Sequence, residues 1–193
     1  MTRDNKYVVL SVMGPHAGET SGKIFDRKIR DIYKIGKTFW VVHSPSAKPD
    51  NVQRLCLKAS QHNYIVDCIL LAPSSANGAE DTKTTKKAKE YSIDGLEWES
   101  LPYSEDLSKV TGKITNSTCA LIIDEFAFRK FDIDLWEYAN FVNTRKPIIF
   151  RRGESTVCGI KKDTSTYPDK MKSRLRSVIA VGRLAKPYAV WLR

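Results

Sequence analysis

The stretch from Tyr7 to Ile35 constrains this chain more than any other. Tyr7-Val8-Val9-Leu10-Ser11-Val12-Met13 is short, apolar and rich in β-branched residues, the composition of a strand covered on both faces. The turn that follows, Gly14 to Lys23, carries Gly14, Gly18 and Gly22 and is too rich in glycine to continue either neighbouring element. Phe25, Ile29, Ile32 and Tyr33 then recur at helical spacing and give one apolar face. Gly36 stands where a left-handed residue would end that helix.

The same alternation continues. Thr38 to His43 reads as a second buried strand. Asp50 and Gln53 form a capping-box-like start for a helix whose apolar stripe is Val52, Leu55, Cys56 and Ala59. Tyr64 to Leu71 is a third strand. Strand, helix, strand, helix, strand predicts right-handed βαβ units on a parallel sheet. The expected fold is therefore a single three-layer α/β domain over 1–193, with a mostly parallel sheet. C-terminal strands extend it, and their direction is left open to be antiparallel.

Residues 74–90 are polar and repetitive, and predict a mobile loop. Tyr91 to Trp98 reads as a short strand or hairpin turning at Asp94-Gly95. Thr118 to Ile123 is a buried strand ending in Asp124-Glu125. Asp132 or Asp134 would cap a helix containing Leu135, Trp136, Ala139, Phe141 and Val142. Pro147–Phe150 and Ser155–Ile160 read as strands, Pro168–Arg176 as a short basic helix, and Ser177–Val181 and Tyr188–Leu192 as the last two strands.

Charge is the second constraint. From Arg145 to Arg193 there are thirteen basic residues against three acidic ones, so the whole net charge of +10 resides in this last quarter. Such a localised excess is an electrostatic footprint for a polyanion. Arg151, Arg152, Lys170, Lys172, Arg174 and Arg176 are the candidate phosphate contacts for nucleic acid, with Phe150, Tyr167, Tyr188 and Trp191 interleaved. The leading expectation is an intracellular, cytoplasmic protein that binds nucleic acid through this basic part.

A competing expectation places an anionic small molecule, nucleotide-like or otherwise, at Gly18, Thr20, Ser21, Gly22 and Lys23. A helix N-terminus presents unsatisfied N–H groups and the positive end of its dipole there. His43, at a strand end, and Asp124 are the rim residues available for catalysis in that version. A non-catalytic interaction module is the third expectation.

Several chemistries lack their residues. The turn has a Gly22-Lys23 step, but Ala17 and Ile24 stand where a Walker loop needs glycine and a metal-binding hydroxyl. The Leu121–Glu125 stretch is Walker-B-like only in ending an apolar run with acids. Glycines spaced by four do not make a dinucleotide fingerprint. No nucleophile elbow is present. Cys56, Cys68, Cys119 and Cys158 lie among apolar neighbours with no C-x-x-C pair, which points to buried thiols in a reducing compartment rather than a metal site. No motif specifies a cofactor. The start of the chain has no secretory h-region, and no apolar run is long enough for a membrane helix, so no membrane association is expected.

Overall fold

The computed structural model describes residues 7–14, 19–43, 49–73, 98–99, 118–151, 154–162 and 174–192. Within them the elements are β1 (Tyr7–Val12), α1 (Ser21–Ile35), β2 (Thr38–His43), α2 (Pro49–Gln61), β3 (Val66–Leu71), β4 (Trp98–Glu99), β5 (Thr118–Asp134), β6 (Tyr138–Asn140), β7 (Thr156–Lys161) and β8 (Leu175–Leu192). A 3-10 turn at Leu135–Glu137 joins β5 to β6.

All eight strands share one sheet in the order β2-β5-β8-β3-β1-β7-β6, with β4 on the end of β8. Among the described strands only β1 and β3 run parallel, in register from Tyr7↔Val66 to Val12↔Leu71. The pairs β1–β7, β2–β5, β3–β8, β4–β8, β5–β8 and β6–β7 are antiparallel. The mostly parallel, three-layer arrangement expected from the sequence is thus overturned: this is a mixed sheet dominated by antiparallel pairs, with two helices among the described residues.

The physical reason is that burial on both faces, not strand direction, produces apolar runs. Val8 and Leu10 point into one core cluster and Tyr7 and Val9 into another, so β1 is covered on both sides. One cover is helical: Ile24 of α1 and Val52, Leu55, Cys56 and Ala59 of α2 pack on Val9, Cys68, Leu121 and Ala180. The opposite cover is irregular, made by Leu135, Tyr138, Ile148 and Phe150 packing on Val8, Leu10, Leu71 and Val178. The helix that follows β1 delivers the chain to β2, which docks on β5 rather than beside β1.

The long pair β5–β8 builds the middle of the sheet. The amino half of β5 pairs with β2 while the amino half of β8 pairs with β3. Asp124-Glu125 does not end β5. Arg183 across the ladder meets Asp124 at 3.2 Å and Glu125 at 3.0 Å, and the register shifts there, so the acids are absorbed in an irregularity and the strand continues. Gly182 lets Phe126 cross the same point: a Cβ there would lie 2.7 Å from the ring.

Three further expectations are corrected. The helix expected after Asp132 or Asp134 is a single 3-10 turn followed by β6, because Tyr138–Asn140 is captured by the ladder of β7. Pro147–Phe150 is not a strand; Pro147 makes one isolated bridge to Ala139 and Ile148 donates its N–H to the Tyr138 carbonyl at 3.0 Å. The basic helix expected to end at Arg176 does not reach it, since Leu175 and Arg176 open β8, which then runs unbroken to Leu192. The loop expected at 74–90 and most of the Tyr91–Trp98 stretch lie outside the described residues, as do the side chains of the Asp50–Gln53 cap.

The first helix keeps its expected stop but starts earlier than expected, at Ser21, inside the stretch read as a turn. Thr20 caps it, accepting from the Lys23 N–H at 3.4 Å, and Gly36 closes it at φ 74° with its N–H on the Ile32 carbonyl at 2.8 Å. Its buried line is shifted from the one expected: Ile24 and Lys28 are buried, while Tyr33 is exposed.

Candidate basic groove beside the second helix

The outward face of α2 is set by helical geometry. Val52, Leu55, Cys56 and Ala59 are buried, which leaves Arg54, Leu57, Lys58 and Gln61 as the i, i+3, i+4, i+7 line on the other side. That line faces the tight loop after β6. Asn140 Oδ1 accepts from the N–H groups of Val142 (2.9 Å) and Asn143 (3.2 Å). The Lys146 carbonyl closes the loop by accepting the Asn140 N–H at 2.8 Å. The loop therefore turns Val142 outward, 56% exposed, with Arg145 and Lys146 exposed beyond it.

Two adjoining hollows flank Val142. The larger, about 370 Å³, lies between Phe141–Val142 and the Arg54–Gln61 line. The smaller, about 70 Å³, sits at the start of α2 among Asn51, Asn140, Ile149, Arg151 and Thr156. Together they form a groove along α2 that is apolar in its larger part, polar in its smaller one, and bordered by cations in both.

Arg54 and Lys58 line the larger hollow and Arg151 the smaller, against one carboxylate among the described lining residues, Glu154. Glu154 is already committed: its Oε2 accepts the Arg151 N–H at 2.8 Å, and its own N–H returns to the Arg151 carbonyl at 3.0 Å. All three cations are exposed, and none forms an ion pair with a described residue. A surface of this kind offers charge to a polyanion without first breaking internal pairs.

The C-terminal arginines fall into different settings. Arg176 donates to the Ala72 carbonyl at 2.6 Å and lies over the Phe150 ring at 5.4 Å, and burial lowers its pKa. It ties the start of β8 to the end of β3. Arg174 is exposed, with its guanidinium 5.1 Å over the Trp136 ring. Its backbone N–H shares Asp134 Oδ1 with that of Trp136, at 2.9 and 3.1 Å. The Asp134 carboxylate therefore stands directly at this pair, whereas Arg54 and Lys58 line a hollow with no carboxylate among its described lining residues. Arg152, Lys170 and Lys172 lie outside the described residues.

At the glycine turn, Gly18 lies outside the described residues, Thr20 is the helix cap, and Ser21, Gly22 and Lys23 open α1. Glu19 is clamped by Arg27 at 2.7 Å, so a carboxylate of the chain itself stands at this helix start. Gly14 approaches Pro73, whose neighbour Ala72 holds Arg176, so Gly14 and the start of β8 lie at the same end of β1 and β3. His43 ends β2 opposite Thr118, and its side chain lies outside those described. Asp124 sits mid-strand against Arg183, whose pKa is raised chiefly by that hydrogen bond. The two catalytic candidates are thus at different positions of β2 and β5, with Asp124 committed to an ion pair.

The cysteines are buried, and none is joined in a disulfide. Burial pushes the Cys68 thiol up to about 12 and those of Cys56 and Cys119 well above their ordinary value, so they act as apolar filling. Among the described residues no group of three or more His, Cys, Asp and Glu is arranged to hold a metal ion. No described helix is long and apolar enough to cross a membrane.

Sequence reading located Arg151 but passed over Arg54 and Lys58, because they lie far outside the basic quarter. The available signal was their i, i+4 spacing opposite the apolar stripe of α2. Comparison of the chain with protein-family models, with curated proteins and with solved structures finds no match.

Proposed function

We propose that this protein binds nucleic acid by holding phosphates along the groove beside α2. The observation that carries the reading is that exposed Arg54 and Lys58 line the larger hollow and exposed Arg151 the adjoining one, with Glu154, spent on backbone, the one carboxylate among the described lining residues. Arg145 and Lys146, on the loop that walls the groove, add to the same field. Contacts of this type supply affinity without reading sequence.

The test is fluorescence anisotropy of a labelled oligonucleotide at low salt with single and paired alanine variants. Arg151→Ala and the pair Arg54→Ala/Lys58→Ala are each expected to weaken binding several-fold or more, while Arg174→Ala leaves it within twofold. Loss in Arg174→Ala with full binding in the α2 pair would move the working surface to the start of β8. No binding by the wild type would sink the nucleic-acid reading.

A further inference from the structure

The groove is not only cationic. Its larger hollow is floored by Leu57, Phe141 and Val142, and Ile149 opens into the smaller one, 46% exposed. Apolar floor and charged rim answer different parts of a nucleic acid. In a duplex the base faces are stacked inside and only phosphates, sugars and base edges meet a protein. A duplex would therefore use Arg54, Lys58 and Arg151 and leave the floor wet. An unpaired strand brings its flat, apolar base faces together with its phosphates, and can satisfy both at once.

Resting on the nucleic-acid reading above, we infer that the groove takes a single strand, with bases against Val142 and Phe141 and phosphates on Arg54, Lys58 and Arg151. The geometry also sets a footprint. From Asn51 to Gln61 the helix advances ten residues, about 15 Å at 1.5 Å per residue. A stacked strand rises about 3.4 Å per nucleotide, so the groove holds roughly four nucleotides. Leu57, Phe141 and Val142 have no base-edge donors or acceptors on their side chains, so the base contacts they make are independent of sequence.

Phe141 fixes the floor from below. Its ring stands edge-on to Tyr7 at 6.2 Å, and its N–H is held by the Cys158 carbonyl at 3.0 Å, so the wall of the hollow is anchored to β1 and β7. Val142, in contrast, projects from the loop and can be changed without opening the core.

The experiment measures binding of mixed-sequence single-stranded RNA and DNA of four, eight and sixteen nucleotides, and of the same sixteen-mer as a blunt duplex. The proteins compared are the wild type, Val142→Ser and Ile149→Ser, each checked for an unchanged thermal melt. Polyglutamate serves as a competing acidic chain. The single strand is expected to bind at least tenfold more tightly than the duplex, with most of the affinity present at four to eight nucleotides. Val142→Ser should weaken single-strand binding about fivefold and leave duplex binding unchanged. Equal affinity for duplex and single strand, or no effect of either serine variant, overturns the single-strand inference while the phosphate-binding reading stands. Polyglutamate competing as well as the oligonucleotide also overturns it, since any polyanion would then suffice. Absence of binding to every oligonucleotide at low salt overturns both.

Discussion

Trp40 Nε1 donates to Ser11 Oγ at 3.0 Å, joining β2 to β1 although three strands separate them in the sheet. Such a contact requires the sheet to coil until its inner face closes on itself, as strand twist accumulated over a long β5–β8 pair allows. The Ser11 and Thr156 hydroxyls share a further hydrogen bond of 2.8 Å, so one buried group links β2, β1 and β7. Ser11→Ala removes the hydroxyl with little change of volume and strands Trp40 Nε1 and the Thr156 hydroxyl. It is expected to cost about 1–3 kcal/mol in urea unfolding, whereas Trp40→Phe, which removes a donor and leaves Ser11 bonded to Thr156, costs less hydrogen-bonding energy. Equal stability of Ser11→Ala and the wild type would show that the coil is held by apolar contacts alone.

Lys28 gives the fold a pH dependence of determinate sign. It is buried on α1 and donates to the Phe39 carbonyl of β2; burial and Arg27 lower its pKa to about 7, against the opposing pull of Asp31 and Glu19. The unfolded chain keeps the proton up to the ordinary lysine range, so between pH 7 and that range the unfolded state binds more protons and stability rises with pH. Below pH 7 the folded state carries the full cost of a buried ammonium. Relative to Lys28→Met, the wild type should gain about 2 kcal/mol between pH 6 and pH 8.5. Denaturant titrations of both proteins at the two pH values read this directly, and parallel behaviour would mean that Lys28 stays charged.

Gly182 is required by packing. A Cβ there would stand 2.7 Å from the Phe126 ring and 3.0 Å from the Glu125 carbonyl oxygen. Phe126 cannot swing aside freely, because Phe25 of α1 packs on it with ring centroids 5.1 Å apart. Gly182→Ala is expected to destabilise by about 1–3 kcal/mol through overpacking, measured as a lower urea midpoint. A neutral result would mean that α1 can yield at this point.

How much of this was legible beforehand depends on whether local pattern or distant pairing decides the element. β1, the stop at Gly36 and the stripe of α2 are written in neighbouring residues, and all are present. The continuity of β5 is not local: Asp124-Glu125 looks like a strand end until Arg183, some sixty residues later, is placed across from it. Likewise Leu135, Trp136, Ala139, Phe141 and Val142 have apolar spacing fit for a helix, and Tyr138–Asn140 among them becomes a strand because β7 offers a ladder. Buried strands carry no mark of direction, which is why a parallel sheet was expected. For the groove, Arg151 was visible as charge, but Arg54 and Lys58 gain their meaning from the loop that folds opposite them.

The most direct test of the groove is the salt dependence of oligonucleotide binding in the wild type and in Arg54→Ala/Lys58→Ala. Each phosphate contact on a single strand contributes about −0.7 to the slope of log K against log salt, so three contacts give about −2 and removing two leaves about −0.7. A slope that shallows by that amount places phosphates on Arg54 and Lys58. An unchanged slope, with binding intact, would contradict the assignment of this groove as the phosphate-binding surface.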